Sequence, residues 1–94
     1  AATADQLNVM MQRVVTSGTA TAAALEGIEV AGKTGTAEKG DGTNLAWFIG
    51  FAPADDPRVA VAVVVEDTLS TGGEAAAPLA AAVLKAALTQ TDLP

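Results

Sequence analysis

The residues best equipped for chemistry in this chain are Lys33, Thr34 and Thr36, set around Gly35 in Val30-Ala31-Gly32-Lys33-Thr34-Gly35-Thr36-Ala37-Glu38. An ammonium and two hydroxyls within four positions form a compact set of donors for a carboxylate. Gly32 and Gly35 weaken a strand, and glycines inside a strand often mark the close approach of a ligand or a second backbone. A strand with free backbone groups can also pair with an extended peptide. Taken as four letters alone, the segment favours an edge strand guarded by a lysine against aggregation. Its surroundings have to separate these readings.

Other reactive combinations are scarce. The chain has no His and no Cys. Ser-His-Asp and Cys-His nucleophile systems, disulfides and cysteine-ligated metals are thereby excluded within it. Asp55 and Asp56 lie in Pro53-Ala54-Asp55-Asp56-Pro57. That segment reads as a tight turn closed by fixed proline φ and Asx-type bonds, with too few oxygens for calcium. Glu38, Lys39 and Asp41 read as solvated charges at a hairpin tip, and Trp47 as core. No cofactor is called for.

Eleven acids against five bases give a net charge of −6 over 94 residues. With no Lys/Arg cluster, nucleic acid is not an expected partner. The longest apolar runs, Val59–Val65 and Ala75–Leu84, fall far short of the ~20 residues of a membrane helix. The chain opens on Ala1 without a signal sequence and reads as a piece of something longer.

The elements that must position the Lys33 segment follow from periodicity. Leu7, Met10, Met11, Val14 and Val15 form one helical stripe, expected to be core, in a helix over about 4–17. Thr3 with Gln6 fits a capping box, and Gly18 fits a stop. Residues 19–27 are read as a loop or one or two helical turns. Strands are expected over about 28–38, 45–52 and 58–66, with Gly40-Asp41-Gly42 turning the first hairpin. An Ala-rich helix follows over about 74–89, with Pro78 near its start, and the last residues read as a frayed tail. Short connections make the strands an antiparallel meander flanked by helices, an α/β (α+β) arrangement.

The second and third of these strands are apolar on both faces. Trp47, Ile49 and Phe51 share one face, and Ala46, Phe48, Gly50 and Ala52 the other; the third is almost purely Val and Ala. Such strands belong in a sheet covered on both sides. Two helices can cover one side, so the second cover is expected from polypeptide outside this sequence. Simple alternation also places Lys33 on the face opposite Thr34 and Thr36.

With these residues in view, the chain resembles the penicillin-binding transpeptidase domains, class B-like, rather than the β-lactamases that share the Lys-Thr-Gly element. Met10-Met11-Gln12-Arg13-Val14-Val15 leading to Gly18-Thr19-Ala20 resembles the helix before their active-site strand. Ala31–Glu38 resembles that strand, Ala46–Pro53 the next one, and Gly72-Gly73 with Ala76-Ala77-Pro78 the start of their C-terminal helix. The resemblance implies the C-terminal part, residues 1–94, of a serine D,D-transpeptidase that cross-links peptidoglycan. Its implied partners are the D-Ala-D-Ala end of stem peptides, and β-lactams as inhibitors. It implies that Lys33 supplies positive charge and a hydrogen bond toward a Ser of a second motif. The hydroxyls of Thr34 and Thr36 would bind the carboxylate of substrate or inhibitor. Gly35 would keep the strand open, and the Thr36 backbone N–H would be one oxyanion donor. Ser17 and Ser70 are the only serines, and neither fits Ser-x-x-Lys or Ser-x-Asn. The nucleophile is therefore expected upstream in the same protein, and this chain alone should be inactive. The implied location is the extracytoplasmic face of the bacterial cell membrane. Within the same fold, a β-lactamase or D,D-carboxypeptidase is the alternative enzyme, and a penicillin-sensing or structural relative the non-enzyme alternative.

Overall fold

The structure is a computed structural model and describes residues 2–89. Its elements run α1 (Ala2–Ser17), β1 (Ala31–Glu38), β2 (Asn44–Ala52), β3 (Val59–Thr68) and α2 (Ala77–Thr89), with a 3-10 turn over Thr21–Ala23 and a π-type turn over Gly72–Ala76. The strands form one antiparallel sheet in the order β1-β2-β3, as their alternation and short links require. The frayed tail expected at the chain's end lies outside the described residues from position 90 onward.

Each junction has a local cause. The hairpin between β1 and β2 closes through Lys39 N to Thr43 O at 2.8 Å, and Gly42 takes the left-handed φ of 87° that this turn needs. The Asx-type bonds expected at Asp55 and Asp56 occur instead at Asp41, whose Oδ1 accepts from Thr43 N (3.0 Å) and Thr43 Oγ1 (2.6 Å). These bonds hold the exposed Asp41 carboxyl below the usual carboxylate range, the Thr43 hydroxyl foremost. The 53–57 turn is closed by backbone, with Arg58 N donating to Ala52 O (3.1 Å) and Ala54 N to Glu29 O (2.8 Å). The first strand starts at Ala31 rather than 28, because Ile28 is drawn into a bridge with Leu25. Thr3 lies inside α1 rather than at its cap. Gly18 follows α1 as expected, its N–H bonded to Val14 O at 3.1 Å.

Both helices lie on one face of the sheet. Cross-strand register stacks Thr34, Phe48 and Val63, then Gly32, Gly50 and Val61, then Thr36, Ala46 and Val65 on that face. The core joins Val15 of α1, Phe48 and Ala52 of β2, and Ala77, Ala80 and Leu84 of α2, with Ala20, Ala23 and Val30 between them. Small side chains there let α2 sit close. Phe48 is the largest fully buried side chain, and its ring lies over Gly32 and Gly50, where a Cβ would strike it. Phe48→Ala should lower the stability of the folded protein by about 3–5 kcal/mol, read by denaturant unfolding; a loss below ~1 kcal/mol would contradict this packing.

Among the described residues nothing covers the opposite face. Trp47, Ile49, Phe51, Ala60, Ala62 and Val64 share it by register, and Ile49 and Val64 are 46% and 57% exposed. The stripe expected to be core in α1 is only half so. Val15 is buried and Met11 and Val14 are partly covered, but Leu7 and Met10 are exposed. Asn8 and Gln12 help face the sheet side instead, with Asn8 Nδ2 donating to Ala54 O at 2.8 Å. Periodicity shows which residues share a side, not how much of that side this chain covers.

Candidate active-site strand

β1 is an edge strand, paired among the described residues only with β2, and it carries Lys33, Thr34, Gly35 and Thr36 at its middle. Alternation splits these side chains as anticipated. Lys33 is exposed and stands beside Ile49 on the bare face. Its Nζ turns back along its own strand and donates to Thr34 O at 2.7 Å, which leaves two of its three N–H donors unassigned. No carboxylate lies within ion-pair distance of it among the described residues.

Thr34 and Thr36 share the helix-covered face but differ in access. Thr34 is 7% exposed, and its hydroxyl is paired with the Thr19 hydroxyl at 2.7 Å. Thr36 is exposed, and its Oγ1 accepts from Gly72 N at 3.0 Å. The structure thus brings Lys33 and Thr36 to the edge strand's accessible surface and holds Thr34 one layer back. The resemblance draws on the segments that hold Thr19 and Gly72, but nothing in the sequence pairs these residues with the strand. They lie 15 and 36 residues from their partners, and no local pattern encodes contacts at that range.

The glycines serve close packing of protein on protein. A Cβ on Gly35 would fall inside the Trp47 indole, so Trp47 lies half-buried across the strand on the bare face. A Cβ on Gly72 would come within 2.5 Å of Trp47 O and 2.6 Å of Gly35 O. One on Gly73 would collide with Thr19 O. The segments 17–20 and 72–76 therefore press against the back of the Lys33–Thr36 strand, an approach that only glycine permits.

The hairpin end of the strand is tied down. The register of β2 and β3 shifts between Asn44 and Ala46, and Asp67 adopts a left-handed φ of 55° there, a conformation Asp tolerates. Its carboxylate accepts from Lys39 Nζ, and Asp41 lies 3.7 Å from the same ammonium. The bond from Asp67 is the main reason the Lys39 pKa is raised. Lys39 is solvated, so the pair adds little to stability.

Among the described residues no group of His, Cys, Asp and Glu could hold a metal ion. Ser17 Oγ bonds the carbonyl of Arg13 at 3.3 Å within its own helix. Ser70 N bonds Thr68 Oγ1 at 3.0 Å. The Ser17 hydroxyl is thus bonded to a carbonyl and not to a base. No described helix is long and apolar enough to cross a membrane.

The model of the penicillin binding protein transpeptidase domain matches residues 1–85. The peptidoglycan D,D-transpeptidase PbpA of Mycolicibacterium smegmatis is 47% identical over 98 residues, covering 96% of this chain and 19% of PbpA. Stage V sporulation protein D of Bacillus subtilis is 40% identical over 97 residues, covering 94% of this chain and 15% of that protein. The chain thus spans under a fifth of the length of these two relatives. Among solved structures, the transpeptidase domain of the FtsI4 D,D-transpeptidase from Legionella pneumophila superposes with a TM-score of 0.82 at 40% identity, covering 89% of this chain and 34% of that one. Penicillin-binding protein A from M. tuberculosis, solved as a ceftriaxone acyl-enzyme complex, gives a TM-score of 0.77 at 44% identity, covering 87% of this chain and 20% of that one.

Proposed function

The chain belongs to the penicillin-binding protein transpeptidase domain family, and from that premise we propose that it supplies the active-site strand of a peptidoglycan D,D-transpeptidase. The observation that carries the reading is the edge of β1, unpaired among the described residues, where an exposed Lys33 with no ion-pair partner among them and an exposed Thr36 stand within four residues. The substrate is a stem peptide ending in D-Ala-D-Ala. A serine outside this chain attacks the carbonyl between the two D-Ala residues, and the terminal D-Ala leaves with a proton. The amine of a second stem peptide then takes the acyl group. β-Lactams occupy the same place and stop at the acyl-enzyme. The working site faces the extracytoplasmic side of the membrane.

In this scheme Lys33 directs its free N–H donors and its charge toward the serine motifs. The hydroxyl of Thr36 donates to the carboxylate of substrate or β-lactam, and the Thr36 backbone N–H stabilises the tetrahedral oxyanion. Thr34 holds the second hydroxyl, one layer back and hydrogen-bonded to the Thr19 hydroxyl. Gly35 keeps the edge of the strand open between them for close approach of the ligand's backbone. The remainder of the transpeptidase domain covers the bare face around Ile49. Labelling of the full-length protein by a fluorescent penicillin, abolished by unlabelled β-lactam, tests the reading; absence of any labelling would remove it.

The two threonines separate quantitatively. Thr36→Val keeps shape and removes an accessible donor to a charged group, and should cost about 1.5–3 kcal/mol in acylation by a β-lactam acid. Thr34→Val removes a hydroxyl that is buried and bonded to Thr19, and should cost about 1 kcal/mol or less. Second-order acylation rate constants measure both. Equal losses from the two variants would show that Thr34 meets the carboxylate directly.

A further inference from the structure

The bond behind Thr36 points beyond the strand itself. A threonine hydroxyl has one proton and two acceptor positions. In this chain one acceptor position is filled by the N–H of Gly72 at 3.0 Å. A donor fixed there sets the side-chain rotamer and keeps the hydroxyl proton from turning toward the protein. The proton is left for an acceptor on the exposed side, and accepting one bond strengthens the hydroxyl as a donor. A carboxylate is acceptor-only, and a hydroxyl so poised suits it.

The Gly72 N–H is itself held in place. Thr71 caps the turn, its Oγ1 accepting from Glu74 N at 3.3 Å while Glu74 Oε1 accepts from Thr71 N at 3.2 Å and from Thr71 Oγ1 at 2.9 Å. The residue at 72 must also lie within van der Waals reach of Gly35 and Trp47 backbone, which leaves no room for a side chain.

We propose that Gly72, fixed by the Thr71–Glu74 cap, is a positioning residue for carboxylate recognition: its N–H orients the Thr36 hydroxyl as a donor to the ligand. The inference rests on the reading that Thr36 meets the carboxylate, and the experiment separates the two. In the full-length protein, acylation rate constants are measured for one β-lactam as the free acid and as its methyl ester, and the acid-to-ester ratio is the readout. Thr36→Val should lower that ratio by roughly 10- to 100-fold, the worth of a hydrogen bond to a charged group. Gly72→Ala, which pushes the turn away, should lower the ratio by about fivefold, the size of one neutral hydrogen bond. Thr71→Ala adds no bulk and should lower the ratio in the same direction by about twofold, so the proposal stays testable if the Gly72 variant does not fold. Thr36→Ser should keep the ratio. A ratio unaltered in both Gly72→Ala and Thr71→Ala, while Thr36→Val loses it, overturns the proposal and leaves the Thr36 reading standing. Parallel losses for acid and ester would show a merely structural role and overturn it equally. A ratio unaltered in Thr36→Val overturns the reading and the proposal together.

Discussion

Lys33→Ala in the full-length protein is expected to slow acylation by β-lactams by roughly 10²–10³-fold, the loss that follows removal of one preorganised donor from developing charge. The fold should survive. Lys33 is exposed, its one hydrogen bond is to the neighbouring carbonyl of Thr34, and in the proposed site it faces the water-filled substrate cleft rather than the covered part of the sheet, so water can replace it there. Surface changes of this kind alter stability by about ±0.5 kcal/mol. The measurement is therefore paired: acylation kinetics together with the melting temperature. Lys33→Arg refines the test, because a planar guanidinium keeps the charge but not the compact geometry of the ammonium. It should recover part of the rate. Wild-type acylation in Lys33→Ala would refute the role assigned to this lysine, and a matching collapse of the melting temperature would reassign it to structure.

The second large effect concerns the bare face of the sheet. Ile49 is 46% exposed and Val64 57% exposed here, and at such positions a charge should be nearly neutral if the face met water. If the rest of the transpeptidase domain covers the face, an Asp at 49 becomes a buried, unpaired charge. Ile49→Asp should then destabilise the full-length protein by about 3–5 kcal/mol, while in a truly solvated sheet the change would stay within ~0.5 kcal/mol. The two outcomes differ by several degrees of melting temperature or more. Residues 1–94 expressed alone should aggregate through the same patch, and adding the remainder of the protein should restore penicillin labelling. A monomer of this segment with sharp, dispersed amide signals and cooperative unfolding would show that the face needs no cover.

Much of this arrangement was legible in the residues. The face arithmetic of β2 and β3 set out which side chains share a side, and the bare side carries the Trp47, Ile49 and Phe51 it assigned there. Gly-Asp-Gly announced the hairpin, because only a residue free to take positive φ fits Gly42. The Lys33–Thr36 strand drew attention through residue chemistry, and its opposed side chains followed from pleating. The rest was hidden for physical reasons. The α1 stripe was placed wholly in the core, yet Leu7 and Met10 are exposed; amphipathicity does not say where the covering element ends. The π-type turn over Gly72–Ala76 was read partly as loop, since two glycines carry no helical signal. Gly32 and Gly35 looked like openings for a ligand, but Phe48 and Trp47 lie across them. The partners of the two hydroxyls, Thr19 and Gly72, are set by tertiary packing alone.

The bond from Gly72 to Thr36 also orders events in time. The two residues are separated by 36 positions, so their bond closes only after a long loop has been drawn in, whereas β1 and β2 are joined by a short turn. The β1–β2 hairpin can therefore pair first, with Thr36 in place but its hydroxyl unbacked. The recognition strand is then among the earlier parts of this segment to form and one of the last to be finished. Ligand competence on folding should arrive with the turn at 72–76 rather than with the strand that bears the motif.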